Sequence, residues 1–333
     1  MAAPRAGFDV LGLGNAIVDV IAEADDRSLE RLALAKGTMT LLDERRMREL
    51  YASMGPALEM SGGSCANTMA GFAALGGRGA YIGKVSDDQF GSVFRHDMRA
   101  MGCDFETPAA ADGPSTGRCL ILVTPDAQRT MCTNLGAACL LTPTDLDGTL
   151  LQSARVVYME GYLFDEPPAQ QAFIEAAEIA HAAGGEVSIT LSDGFCVDRH
   201  RSAFRRLVED HIDILFANEV EICSLYQVAA FDDALQQVRG HCRVACLTRS
   251  AKGAVVLSGD EIHVVDAEPV KAVVDTTGAG DQFAAGFLYG YTQGRDLYTA
   301  GRIGAIAAAE VIQHYGGRPA VDLRALVKRA VGA

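Results

Sequence analysis

Val273-Val274-Asp275-Thr276-Thr277-Gly278-Ala279-Gly280-Asp281-Gln282-Phe283-Ala284-Ala285-Gly286-Phe287 decides how this chain reads. It runs from an extended segment through a turn of small residues into a helix. Gly278, Ala279 and Gly280 carry almost no side chain, so a ligand can approach the backbone closely, and their N–H groups would open the following helix. Unpaired amides and the positive end of the helix dipole make such a turn an anion hole, suited to a phosphoryl group whose charge spreads over its oxygens in the transition state. From the rim of that turn the Asp281 carboxylate can accept the proton of an attacking hydroxyl while the amides hold the transferring group. The competing reading is an ordinary glycine-rich helix entry with a capping-type Asp.

Outward from this turn, short apolar runs alternate with segments of helical length and spacing, the pattern of a parallel sheet covered by helices. The expected strands are Phe8 to Leu13, Ala80 to Val85, Val156 to Glu160, Glu186 to Leu191, Ile212 to Ala217, Val244 to Thr248 and Ala254 to Leu257. Expected helices include Ser64 to Leu75, Gln89 to Met101, Ala169 to Ala183, Ala279 to Gln293 and Leu297 to His314. This is an α/β, doubly wound core. Two regions break the rhythm. In them Thr38 to Leu42, Arg118 to Val123 and Arg129 to Thr133 read as strands without crossover helices, and they can pair as one small sheet. The expected division is therefore a core of residues 1–17, 61–105 and 139–333, and a discontinuous β lid of residues 18–60 and 106–138 over the mouth of the core, where a substrate cleft would lie.

The 333 residues are 49% hydrophobic, enough for a large core, and carry a formal charge of -14 with no compensating basic run. Such a chain repels nucleic acid and anionic lipid. Nine cysteines occur, without zinc-like C-x-x-C pairs, and read as reduced thiols. Cys65 lies near the expected chemistry, where a small helix-packing role competes with any reactive one. Neither a signal-peptide core nor an apolar span of transmembrane length is evident. The expectation is a cytoplasmic protein with no membrane partner.

A second glycine-rich stretch, Ser61-Gly62-Gly63-Ser64-Cys65-Ala66-Asn67-Thr68 followed by Ala70 to Gly79, precedes the first in the chain, and Asn218-Glu219-Val220-Glu221 follows an expected strand. In order and separation the three resemble the signatures of the ribokinase, or PfkB, family of carbohydrate and nucleoside kinases, and together they span nearly the whole chain. The resemblance implies a ribokinase-like fold and a reaction that uses ATP and Mg2+. It implies Asp281 as the catalytic base, Gly278, Ala279 and Gly280 as the anion hole, Gly62 and Gly63 as a hinge, and Asn67 on substrate hydroxyls. Asn218, Thr248, Arg249 and Gly253 match the nucleotide-binding elements. Glu221 would act on magnesium through water, where a solvated helix-face carboxylate is the plain alternative. Asp275 and Thr277 align with carbonyl donors to a monovalent cation in members that need K+.

Within that family, Gly12-Leu13-Gly14-Asn15-Ala16-Ile17-Val18-Asp19-Val20 resembles the adenosine kinases more than the sugar kinases. Asn15 and Asp19 are then substrate ligands, since a carboxylate at this point can take two hydrogen bonds from a vicinal diol; a surface Asp is the alternative. Arg129-Thr130-Met131-Cys132-Thr133-Asn134-Leu135-Gly136 resembles the lid segment of the same enzymes, whose leading Arg moves toward the phosphates on closure. Tyr162 or Phe164 can stack on a purine, or be plain core. Glu160 departs from the pattern, because sugar kinases of the family use a Glu near this place on sugar hydroxyls. The expected activity is phosphorylation of adenosine at its 5′-hydroxyl, with a sugar or another nucleoside as the alternative substrate, in a monomer rather than a homodimer. A non-catalytic nucleoside sensor would not need Asp281, and a dinucleotide oxidoreductase would want a third glycine after Gly12 and Gly14.

Overall fold

A computed structural model describes residues 7–126 and 128–332, and contains two sheets. The strands, in chain order, are β1 (Val10–Leu13), β2 (Ile17–Glu23), β3 (Met39–Leu41), β4 (Ala57–Gly62), β5 (Gly79–Ile82), β6 (Cys103–Phe105) and β7 (Thr116–Val123). They continue as β8 (Arg129–Gly136), β9 (Val156–Glu160), β10 (Glu186–Thr190), β11 (Ile214–Asn218), β12 (Val244–Thr248), β13 (Ala254–Ser258) and β14 (Glu261–Val265).

The larger sheet has nine strands in the order β14-β13-β12-β11-β10-β9-β1-β5-β6. From β6 to β12 every pairing is parallel, and β13 and β14 add an antiparallel hairpin. Val10–Leu13 and Val156–Glu160 are buried along their whole length, as strands covered by helices on both faces must be. Alternate residues serve two cores. Val10, Tyr158, Phe216 and Cys246 face one, Leu11, Val157, Leu215 and Leu247 the other. Each of the seven expected core strands has a counterpart here, while β6 and β14 are additional. Gly253, at φ +79, makes the tight turn into β13, where a Cβ would lie 2.0 Å from the Val265 carbonyl oxygen.

The smaller sheet has the order β3-β8-β7-β2-β4. The three expected strands of the irregular regions are present, and β2 and β4 join them, so the small sheet begins at Ile17 and takes in Gly62. Val18, Val20, Leu120, Leu122 and Cys132 share one face and are buried with Met47, Leu50, Phe90, Phe94 and Met98 from the helices Glu44–Ser53 and Gln89–Ala100. By strand alternation Asp19, Ile21 and Arg129 belong to the opposite face. Among the described residues no helix is long and apolar enough to cross a membrane, and all nine cysteines are free thiols.

Candidate active site

In the large sheet the chain goes from β1 outward to β5 and β6 on one side, then returns to build β9 through β12 on the other. The strand order reverses between β1 and β9, and the carboxyl ends of parallel strands at such a reversal open a crevice for ligands. Asn15 follows β1, Glu160 ends β9, Asn218 ends β11 and Thr248 ends β12, so four residues far apart in sequence share one edge.

The Gly278–Asp281 turn is joined to this edge through the helix Ser64–Ala74, whose Ser64 Oγ donates to Asp281 while the Cys65 amide donates to Glu160. Gly278 is the N-cap of the helix Ala279–Thr292 at φ +76, a conformation that favours glycine, and a Cβ there would sit 2.5 Å from the Gly317 Cα. The Ala279 amide is hydrogen-bonded to the Thr276 carbonyl at 3.2 Å. The amides of Gly280 and Asp281, also in the first turn, have no acceptor within the helix, and open space lies around Gly280. Asp281 is half-buried. Its Oδ1 accepts from Ser64 Oγ at 2.6 Å, and its Oδ2 faces Asn67 Nδ2 at 3.5 Å. Burial pushes its carboxyl up to about 6 against the two hydrogen bonds, and the Asp19 charge pushes the same way. A carboxylate in this state is a stronger proton acceptor than an exposed Asp.

Arg129 reaches this turn from β8. Its Nη1 donates to Asp275 Oδ2 and to Thr277 Oγ1, the latter at 2.6 Å. Asp275 also accepts from the Thr277 amide at 2.9 Å and the Gly316 amide at 3.0 Å. Burial raises the Asp275 carboxyl, but these amides and the Arg129 charge prevail and hold it below its ordinary value. The guanidinium expected to meet phosphates is thus already at the anion turn.

Asp19 lies on the same face of the small sheet as Arg129. A Cβ on Gly62 would fall 2.4 Å from the Asp19 Cγ, so the bare glycine is what lets the carboxylate lie against the end of β4. Gly63, at φ +97, has no room for a Cβ beside the Asn15 carbonyl oxygen at 2.6 Å, and caps the helix Ser64–Ala74 that carries Asn67. Burial pushes Asp19 up to about 6, and the charges of Arg318 and Arg129 pull it down. Asn15 and Tyr162 line a narrow cleft with Leu135, Ala138 and Cys139. Phe164 is plain core, stacked on Phe204 at 4.4 Å. Glu160 is buried, and its two oxygens accept from Asn15 Nδ2 at 2.8 Å and from the Cys65 amide at 2.9 Å. Burial pushes its carboxyl up to about 7.

On the other side of the edge, Asn218 and Glu221 form a reciprocal capping box at the start of the helix Glu219–Tyr226. Glu221 Oε1 accepts from Asn218 Nδ2 at 2.6 Å and Oε2 from the Asn218 amide at 2.9 Å. Burial pushes Glu221 up to about 7, helped by the charges of Asp193 and Asp281. Among the described residues no group of three or more His, Cys, Asp or Glu side chains is placed to hold a metal ion. With both Glu221 oxygens already accepting hydrogen bonds, this donor set fits a magnesium ion that arrives on phosphates and meets the protein through water. Thr248 is register partner to Asn218. Arg249, the residue after Thr248, lies with its guanidinium 4.2 Å above the Phe231 ring.

Three residues that the sequence reading passed over take part. Ser64 holds Asp281. Gln282 Nε2 ties the Asn67 carbonyl to the Gly317 carbonyl, each at 2.9 Å. Arg318 contacts Asn67 and Ser61. Ser64 and Gln282 each stand inside a quoted motif, so their nearness was available; Arg318 acts across long sequence separations that no local pattern reports.

The profile of the pfkB family carbohydrate kinases matches residues 58–323. The crystal structure of adenosine kinase from Sinorhizobium meliloti is similar at TM-score 0.90 and 49% identity, covering 98% of this chain and 100% of that one. That of a probable sugar kinase from Rhizobium etli is similar at TM-score 0.89 and 49% identity, covering 97% and 98%. The adenosine kinase of Saccharomyces cerevisiae is 27% identical over 326 residues, 91% of this chain and 94% of the yeast protein.

Proposed function

The chain belongs to the pfkB family of carbohydrate kinases, and from that premise we propose that it transfers the γ-phosphoryl group of ATP to the 5′-hydroxyl of adenosine, giving AMP and ADP. The observation that carries the nucleoside reading is the pairing of Asp19 with the bare Gly62 on the small-sheet face shared with Arg129. There a half-buried carboxylate can accept both hydrogen bonds of a ribose 2′,3′-diol. Glu160, the residue that would otherwise bind sugar hydroxyls, is occupied by Asn15 and the Cys65 amide. The 49% identity to the Sinorhizobium meliloti adenosine kinase supports the same reading.

In this account Asn15 and Tyr162 hold the base end of the nucleoside, and Asp19 with Asn67 holds the ribose. Gly278, Ala279 and Gly280 cradle the transferring phosphoryl oxygens, with charge supplied by Arg129 as it exchanges Asp275 and Thr277 for phosphate. Asp281 takes the proton of the 5′-hydroxyl. Asn218, Thr248 and the turn at Gly253 form the nucleotide side, and Arg249 borders it from its seat on Phe231. Magnesium, when bound with ATP, neutralises phosphate charge, and Glu221 would orient its water. For a monovalent cation, the side chains of Asp275 and Thr277 are already committed to Arg129, so backbone carbonyls would be its donors.

A sugar kinase is the second reading, favoured by the equal identity to the probable sugar kinase of Rhizobium etli. An ADP-release assay with Mg-ATP and adenosine, inosine, guanosine, cytidine, ribose and fructose, with and without potassium, separates the two. Adenosine is expected to give the highest kcat/KM; preferential turnover of a free sugar would refute the nucleoside assignment and return Glu160 to the substrate.

A further inference from the structure

The loop between the helices Leu297–Val311 and Leu323–Val331 folds back onto the catalytic turn. Gly316 donates its amide to Asp275 at 3.0 Å, and the Gly317 backbone is so close to Asn67 that a Cβ would lie 2.8 Å from Asn67 Nδ2. The next residue, Arg318, spreads its guanidinium over three segments. Nε donates to Asn67 Oδ1 at 3.3 Å, Nη2 donates to Ser61 Oγ at 2.8 Å, and Nη1 lies 3.5 Å from Met101 Sδ. Ser61 immediately precedes Gly62 and Gly63, and its amide donates to Asp97 Oδ2 at 2.8 Å.

An asparagine amide can present either its oxygen or its nitrogen to a neighbour. A guanidinium removes the choice, because it only donates, so Oδ1 must face it and Nδ2 must turn the other way. The other way is Asp281 Oδ2, at 3.5 Å. We infer that Arg318 is a positioning residue, which sets the Asn67 amide toward Asp281 and ties the Ser61-Gly62-Gly63 strand end to the catalytic turn; the inference rests on the kinase reading above. A planar fork reaching three segments is a task for Arg, and an ammonium in its place would lose the shared geometry. The charge of Arg318 also acts on Asp19 and Asp97, so the same side chain favours the ionised form of the diol ligand.

The test is a double-mutant cycle between Arg318 and Asn67 in the full chain, with Mg-ATP and whichever acceptor the wild type turns over fastest. Arg318→Met is expected to lower kcat roughly tenfold or more, with little change in the KM for ATP. In an Asn67→Ala background the same change should cost severalfold less, because the share of its effect that runs through the Asn67 amide is already gone. Arg318→Lys keeps charge and stem, guards against a Met variant that folds poorly, and should also lose kcat at a near-normal melting temperature. Equal losses in both backgrounds, or unchanged kcat in a folded Lys variant, would overturn the inference. The 15N side-chain amide pair of Asn67, identified by its absence in Asn67→Ala, gives a readout independent of turnover. It should shift in both Arg318 variants. An unmoved pair refutes the positioning role even if the wild type phosphorylates nothing, an outcome that would by itself sink only the kinase reading.

Discussion

Asp281 unites position and protonation. With its carboxyl pushed up to about 6 by burial, it is a base near neutrality and loses that capacity as pH falls through about 6. The kcat of the wild type should therefore rise from pH 5 to 7 and level off; a flat profile over that range contradicts the base assignment. Asp281→Asn keeps the shape and removes the base. It should lower kcat roughly 10²-fold or more with little change in KM, as steady-state kinetics at pH 7.5 would show. Asp19→Ala, by contrast, removes diol contacts, so its main effect should be a raised KM for adenosine, and an unchanged KM would refute that role. The residues legible from sequence were those that stand inside a local pattern: Gly278, Ala279, Gly280 and Asp281 in one turn, Gly62, Gly63 and Asn67 in another. Arg318, 251 positions from Asn67, belongs to no such pattern, and the bonds that Glu160 accepts from Asn15 and the Cys65 amide likewise join segments that no local pattern connects.

At the scale of elements, the small sheet and the catalytic turn meet through Arg129. Its ion pair with Asp275 and its bond to Thr277 pin β8 to the turn. Arg129→Gln breaks the pair and removes a charge from the transition state, so kcat should fall roughly tenfold or more while nucleoside binding, measured by calorimetry without ATP, stays within about threefold of wild type. Loss of binding with intact kcat would mean that Arg129 serves the nucleoside instead. The core strands were legible because a strand buried on both faces reads as a continuous apolar run, as in Val156–Glu160. β2 does alternate, with Val18, Val20 and Ala22 buried and Ile17, Asp19 and Ile21 less so. Its place directly after β1, where an α/β chain ordinarily crosses over to a helix, conceals it. β4, with the sequence ALEMSG, has weak strand character of its own and owes its form to pairing with β2.

For the whole molecule, the arrangement concentrates raised carboxyls at one cleft: Asp19 and Asp281 near 6, Glu160 and Glu221 near 7. Each binds its proton more tightly folded than unfolded, so the stability it contributes is present below the unfolded value and lost as pH rises through the folded one. Groups held low, such as Asp275 and Asp126, act the other way, but their stabilisation is lost only in more acidic solution. The melting temperature of the unliganded protein should thus fall by several degrees between pH 5.5 and 8, and calorimetry showing a rise would contradict the burial of these groups. Strain of this kind at a cleft is expected where a site is built for chemistry rather than for stability.

Which hydroxyl receives the phosphoryl group decides between a nucleoside and a sugar kinase. The direct measurement is 31P NMR of one reaction containing Mg-ATP, adenosine, ribose and fructose in equal amounts, repeated with 5′-deoxyadenosine in place of adenosine. The account predicts ADP and the 5′-phosphate ester of adenosine as dominant products in the first, and little phosphoryl transfer in the second. Sugar phosphate as the main product, or continued transfer to 5′-deoxyadenosine, would contradict it.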